Sequence, residues 1–275
     1  MNIKPDCITC IMNQTLKVSK LLELDDETSK TLLDSTAQIL IANTLNHTPP
    51  QLAKETYGKI SELTGINDPV AKAKEEATAL ALRVDTSFVH TLHDAIKLSV
   101  IGNVIDFGAQ NQLDLNKTIQ SHFHRTFGID DFDQFEAELK EAKELVFIGD
   151  NVGEHIFDKL LIEMIKKAYD VDVYYFVRGR PIINDVTVKE AQILKEVAHI
   201  VDTGVETPGY DLQEINAESK AIFERADIVL AKGMGNFESL FQAASRPVYF
   251  LFIVKCNVVA QAIGQEVEEL IFKKG

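Results

Sequence analysis

Basic residues are scarce in this sequence. Its 275 residues hold 28 Lys and Arg against 42 Asp and Glu, for a formal net charge of −14, and no polybasic stretch occurs. Nucleic acid is therefore not an expected partner, because binding a phosphate backbone needs clustered cations that displace its counterions. Long apolar runs are also missing, and none approaches the ~20 residues of a membrane span. The N-terminal stretch MNIKPDCITCIMNQ lacks the charged start, apolar core and small-residue cleavage site of a signal peptide. The expected location is cytoplasmic, with no membrane as partner. Cysteine is sparse and odd in number, at Cys7, Cys10 and Cys256, which describes reduced thiols and not a disulfide framework. Internal repeats, low-complexity tracts and Gly/Ser linkers are absent as well. What is present, 45% hydrophobic and 25% charged residues, is the mixture of a globular protein. Its length suits one large α/β domain or a core domain with a smaller cap.

The first half carries helical spacing. Leu32, Leu33, Ala37, Leu40 and Ile41 recur at three- and four-residue intervals, which puts one apolar stripe on a helix. Asp25 and Asp26 can cap that helix, and Thr48 before Pro49 and Pro50 opens the next, since proline is tolerated in a first turn. Asn67-Asp68-Pro69 repeats the signal before an Ala- and Glu-rich stretch to Leu82. A longer apolar pattern predicts helix from Phe88 to Ile105, stopped at Asp106-Phe107-Gly108. From Glu144 onward, short β-branched runs at 145–149, 171–177, 199–203, 227–233 and 248–255 alternate with helical segments. Such runs describe strands buried on both faces, and their alternation with helices implies β-α-β crossovers. The expected fold class is α/β: a three-layer domain with a mainly parallel sheet over 126–275, and a helical N-terminal region or cap over 1–125.

In an open parallel sheet the ligand crevice lies beyond the carboxyl ends of the strands. The residues there share one chemistry: Gly149-Asp150-Asn151 with Glu154, then Arg178-Gly179-Arg180-Pro181 leading to Asn184-Asp185, then Asp202-Thr203-Gly204, Lys232-Gly233-Met234-Gly235-Asn236 and Lys255. Any one of them can be an ordinary loop residue or helix cap. The mixture is more telling. Asp150, Asn151 and Asp185 are hard oxygen ligands for a divalent ion such as Mg²⁺ or Mn²⁺, whereas Arg178, Lys232 and Lys255 are cations that would repel one another without an anion. Carboxylates, a metal and cations beside glycine N–H groups make a site for a phosphoryl group. Gly233 and its neighbours can form an anion nest where a helix opens. The segment lacks both the third glycine of the dinucleotide fingerprint and the Gly-Lys-Ser/Thr of a phosphate loop.

These segments resemble a known family. GDNVGE at 149–154, VRGRPIINDVT at 177–187, DTGVETPGYDL at 202–212, AKGMGNFE at 231–238 and VKCNVVA at 254–260 are similar to the metal-dependent damage-control phosphatases. That family was formerly a domain of unknown function, and some members are called acidic-residue methyltransferase-like. Cys7-x-x-Cys10 and GNVIDFG at 102–108 look like its small prokaryotic branch. The resemblance implies Asp150, Asn151 and Asp185 as metal ligands, and Glu154, Arg178, Lys232 and Asn236 as residues lining the phosphate and substrate pocket. It also implies a small phosphorylated metabolite as substrate, phosphosugar-like or damaged, and a divalent cofactor: manganese, nickel, cobalt or magnesium. Asn103 and Asp106 are either capping residues of a helix C-terminus or a second wall of the pocket. The purpose of Cys7 and Cys10 is not given by the resemblance.

The expected function is phosphomonoester hydrolysis. Asp150, Arg178 and Lys232 are its expected catalytic residues, with Arg178 and Lys232 clamping phosphoryl oxygens. Either water activated at the metal or Asp150 itself attacks. Phospho-aspartate enzymes of the haloacid-dehalogenase type usually carry a second Asp two residues after the nucleophile, and Val152 stands there instead, which favours water. The alternatives are an S-adenosylmethionine-dependent carboxyl methyltransferase, for which GDNVGE is a poor cofactor loop, and a non-catalytic phosphometabolite-binding protein.

Overall fold

A computed structural model describes residues 1–104 and 112–275, with side chains at 1–103 and 115–275. Six helices come first: α1 (Pro5–Leu21), α2 (Asp26–Ala42), α3 (Pro49–Thr64), α4 (Ala71–Ala81), α5 (Leu92–Ile101) and α6 (Gln112–Phe123). Strand and helix then alternate: β1 (Phe127–Asp130), α7 (Phe132–Leu139), β2 (Glu144–Ile148), α8 (Glu154–Ala168), β3 (Asp172–Val177), α9 (Val188–Ala191) and β4 (His199–Asp202). The remainder is α10 (Ala217–Arg225), β5 (Ile228–Lys232), α11 (Gly233–Leu240), β6 (Tyr249–Ile253), α12 (Asn257–Ile263) and β7 (Leu270–Lys274). No helix among the described residues is long and apolar enough to cross a membrane.

Local chemistry sets the helix starts. Asp25 accepts from the Thr28 N–H at 2.7 Å, and Thr48 with Gln51 forms a reciprocal capping box ahead of Pro49 and Pro50. α5 starts at Leu92 and not at Phe88 as its apolar spacing predicts. There Thr91 caps the helix in an extended conformation, while the Asp94 carboxylate takes the N–H groups of His90 and Thr91, and Phe88 lies in a turn closed by the Val89 N–H on Thr86 O. After Ile101 one 3₁₀ turn spans Gly102–Val104. The expected stop at Asp106-Phe107-Gly108 lies outside the described residues.

The seven strands form one sheet in the order β1-β7-β6-β5-β2-β3-β4. Every neighbouring pair is parallel except β6 with β7. Successive residues of the central strands enter different cores: Leu145 and Phe147 face one, Val146 and Ile148 the other. Both faces are therefore covered, which explains why these strands read as continuous apolar runs. The first core takes in residues of α4, α5, α6, α7 and α8, and the second is closed by α10, α11 and α12. Packing in the helical half thus divides at α4, because α1, α2 and α3 meet in a separate cluster of Val18, Leu32, Tyr57 and Ile60 with Ile182.

Candidate active site

β2 and β5 are neighbours, yet the chain between them runs out through β3 and β4 and then returns. A crevice opens at such a reversal of strand order, and the carboxyl ends of β2, β3 and β5 meet in it. After β2 the chain turns through Gly149-Asp150-Asn151, and residues 178–187 fold back over that turn. The Val152 N–H donates to Asn184 O and the Val186 N–H to Asp150 O, both at 2.8 Å, while the Arg178 N–H donates to Val186 O at 3.0 Å. Asn151 and Asp185 pair as a short antiparallel bridge, which puts the two aspartates at one corner. Ile183, two residues before Asp185, has φ of 45°, an unusual conformation for a β-branched residue. Its side chain packs on the cluster of α1 and α3, so the helical region holds the loop that carries Asp185.

Amide groups surround the carboxylates. Asn151 Nδ2 donates to Asp150 Oδ2 at 2.8 Å and to Glu154 Oε1 at 2.7 Å. Asn103, in the turn after α5, reaches the same two groups, with its Nδ2 donating to Asp150 at 3.4 Å and to Glu154. Gly233 opens α11 with φ of 78°, and a Cβ there would stand 2.7 Å from Asp150 Oδ1 and closer still to Oδ2. Only glycine permits that approach. A cavity of about 340 Å³ lies in front, walled by Asn103, Asp150, Asn151, Asp185, Gly233 and Lys255.

The remaining residues expected to line the pocket stand behind this wall. Arg178, Lys232, Glu154 and Asn236 are at most 1% exposed. Arg178 Nε donates to Asp185 at 2.7 Å and its Nη2 to Asn236 Oδ1 at 3.0 Å. Asn236 Nδ2 donates to the carbonyls of Gly149 and Lys232. Lys232 Nζ donates to Ser99 O at 2.9 Å, Glu154 at 3.1 Å and Asp158 at 2.7 Å. Lys232, expected to clamp phosphoryl oxygens with Arg178, has all three of its protons on acceptors of the protein. A cation so far from water has to be paired. Asp106 lies outside the described residues.

Sequence spacing missed two members. Asp158 lies one turn after Glu154 on α8, and it accepts from Lys232, from Ser99 Oγ at 2.6 Å and from the Tyr175 hydroxyl at 2.8 Å. The interval of four residues was a usable signal, since it puts both carboxylates on one helix face. Glu238 lines the cavity together with Cys7, Cys10 and Cys256, and its place at the end of AKGMGNFE was its only mark.

Burial, reinforced by the Asp185 carboxylate, pushes Asp150 above its ordinary range, and burial raises Asp185 against the opposing pull of Arg178. Glu154 is carried to about 7 by burial, with Lys232 opposing. Two adjacent buried carboxylates favour a cation between them. Among the described residues no group of three or more His, Cys, Asp and Glu is placed to hold a metal ion, and the oxygen donors that the described residues bring to this corner are the two aspartates and the carboxamides beside them. That is a hard oxygen set and fits Mg²⁺ or Mn²⁺ better than a soft ion. Asn103 Oδ1 and Arg178 Nη1 are buried with no partner, an arrangement that costs about 1–3 kcal/mol per group until a ligand supplies one.

His155 gives this network a pH signature. It is buried, its Nδ1 accepts from the Gly153 N–H at 3.0 Å, and burial lowers its pKa from 6.5 to about 4. As pH falls through that window the unfolded chain takes up the proton before the folded one, so His155 costs stability progressively from 6.5 down to 4. The stability difference between wild type and His155→Gln is expected to shift in favour of the variant by about 3 kcal/mol over those limits. Urea denaturation at both ends measures it, and a difference independent of pH would contradict the buried neutral ring.

Comparison with known proteins gives the family. Residues 3–271 match the damage-control phosphatase ARMT1-like domain. The chain is 32% identical to an uncharacterized protein of Methanocaldococcus jannaschii, over 100% of this chain and 96% of that one. It is 30% identical to a damage-control phosphatase of Pyrococcus horikoshii, covering 96% and 94% of the two chains, and 30% identical to one of Archaeoglobus fulgidus, covering 99% of each. The crystal structure of a DUF89 family protein from Pyrococcus horikoshii superposes with a TM-score of 0.92 at 28% identity, over 100% of this chain and 99% of that one. With the match running nearly end to end, the chain belongs to the ARMT1-like damage-control phosphatase domain family.

Proposed function

We propose that the protein hydrolyses phosphomonoesters of small metabolites, phosphosugar-like or damaged, with a divalent ion held by Asp150, Asn151 and Asp185. The observation that carries this reading is the pair of buried aspartates at the mouth of a cavity, backed by buried cations. Relatives that bear the name damage-control phosphatase support it. When bound, such an ion supplies Lewis-acid neutralisation of the phosphoryl oxygens and favours attack by water.

The chain's own residues do the rest. Arg178 fixes the Asp185 carboxylate through Nε and keeps Nη1 unpartnered for an incoming acceptor. Asn103 and Asn151 orient Asp150 and Glu154 by donating to both. Lys232 positions Glu154 and Asp158 and acts on the reaction through them. Lys255, exposed at the cavity, offers a mobile ammonium to the phosphate. Carboxylates and carboxamides at the end of β2, where a methyltransferase would need a glycine-rich loop for its cofactor, weigh against that alternative.

The test is phosphate release by protein stripped of metal and then given Mg²⁺, Mn²⁺, Co²⁺ or Ni²⁺ singly, on an aryl phosphate and a set of sugar phosphates. Release that returns with an ion and disappears in Asp185→Ala is expected. Equal release without metal, or none with any of the four, would overturn the proposal.

A further inference from the structure

Behind the Asp150 corner one side chain ties three elements together. Asp158 of α8 is 0% exposed. Its Oδ1 accepts from Ser99 Oγ of α5 at 2.6 Å and from Lys232 Nζ at the end of β5 at 2.7 Å, and its Oδ2 accepts from the Tyr175 hydroxyl of β3 at 2.8 Å. Charge pairing alone does not ask for this residue. Lys232 is one ammonium between two buried carboxylates, Glu154 and Asp158, and each buried charge carries a desolvation cost that an apolar residue would avoid. The three donors have something else in common: each belongs to a segment that places a residue at the cavity. Ser99 precedes Asn103 by four residues, and Lys232 is followed by Gly233, whose missing Cβ admits the Asp150 carboxylate.

Tyr175 has the most direct route to Asp150. It is in register with Phe147 on β2, and the two rings stack with centroids 5.3 Å apart. Residues two apart on a strand share a face, so the ring extends from Phe147 toward Gly149, the residue immediately before Asp150. A Cβ on Gly149 would stand 2.6 Å from the Tyr175 hydroxyl oxygen, 2.8 Å from Cζ and 2.9 Å from Cε1. Only a glycine lets the backbone of this turn lie against the hydroxyl end of the ring. The Gly149 N–H and carbonyl are held as well, by Phe176 O at 3.0 Å and Asn236 Nδ2 at 3.1 Å. The place of the tyrosine hydroxyl therefore limits where the turn can sit, and Asp158 sets the place of the hydroxyl.

We propose that Asp158 and Tyr175 are positioning residues of the reaction: the carboxylate fixes the tyrosine hydroxyl, and the hydroxyl end of the ring, resting on Gly149, fixes the turn that presents Asp150. Neither residue touches the substrate. The inference rests on the phosphatase reading for what Asp150 does in the reaction.

The experiment measures phosphate release from an aryl phosphate by the metal-loaded protein and its variants. Tyr175→Phe removes a single oxygen and is expected to lower kcat about tenfold or more, as loss of a group supporting a site residue does, with KM within about twofold of wild type. Asp158→Asn is expected to lower kcat at least as far, and the double variant no further than Asp158→Asn, because both changes break one path. Phe135, 0% exposed on α7 and packed on Tyr249 and Phe272, supplies the control: Phe135→Leu is expected to lower Tm and keep kcat. Wild-type kcat in Tyr175→Phe, or an equal fall in Phe135→Leu, would overturn the inference and leave the phosphatase standing. If the wild type releases no phosphate, the phosphatase reading falls, and titration of the metal-free proteins with Mn²⁺ decides. Affinity about tenfold weaker in Tyr175→Phe but kept in Phe135→Leu supports the positioning of Asp150, and any other pattern, no binding included, overturns it.

Discussion

Gly233→Ala is expected to lower kcat/KM for phosphate release at least about a hundredfold while the protein stays folded. The added Cβ would sit 2.7 Å from Asp150 Oδ1 and closer to Oδ2 and Cγ. Real Cβ atoms do not approach so near, and the Asp150 carboxylate has to yield. It has little room to do so, because Asn103 and Asn151 hold Oδ2 from one side and the backbone carbonyl of Asp150 is fixed by Val186. A displacement of about 1 Å at a reacting centre costs on the order of a hundredfold in rate. The φ of 78° adds a backbone penalty of about 1–2 kcal/mol.

Gly264 separates the two effects. It has φ of 69° and no atom within 4 Å of a Cβ built on it, so Gly264→Ala is expected to lose the backbone term alone, with activity retained. Steady-state kinetics, metal titration and thermal denaturation of both variants make the comparison. A Gly233→Ala enzyme within about threefold of wild type would remove Asp150 from the reaction.

The C-terminal half of the fold was legible because its strands are buried on both faces. Runs such as residues 228–232, apolar or covered at every position, stand out against any helical period. β1 and β7 did not stand out. Phe127–Asp130 alternates half-buried with exposed, and Leu270–Lys274 ends in two lysines, so neither is a continuous apolar run. Their pairing with each other and the antiparallel join to β6 are tertiary facts with no local pattern. The corner of Asp150, Asn151 and Asp185 was legible by the strand-end rule alone. Asn103 entered through the family resemblance, because nothing at a helix end tells which way a carboxamide turns. Lys232 was found by its place after a strand, but its direction was not. The Ser99 carbonyl on α5 and the two carboxylates of α8 decide that, and these belong to segments far from it in sequence.

Lys232→Met is expected to cost about 3–5 kcal/mol, the range for removing one partner of a buried ion pair, and to lower Tm by about 10 °C. Lys232 is fully buried, so no water replaces its ammonium. Of the groups it leaves, Asp158 keeps the Ser99 and Tyr175 hydroxyls, and Glu154 keeps the amides of Asn103 and Asn151. Glu154 already titrates near 7 with the lysine opposing its rise, and loss of the lysine lifts it further. A carboxyl whose folded pKa lies above its unfolded one gains stability as pH falls. The deficit of the variant is therefore expected to be larger at pH 8 than at pH 6, and urea denaturation at the two values measures it. Lys232→Met/Asp158→Asn, which removes one stranded charge, is expected to recover part of the loss. Kinetics separate positioning from contact: a lysine that acts through Glu154 and Asp158 changes kcat and leaves KM near its wild-type value, whereas a direct clamp on the phosphate raises KM. A variant as stable as wild type at pH 8 would mean that Lys232 is not the cation holding these two carboxylates in the core.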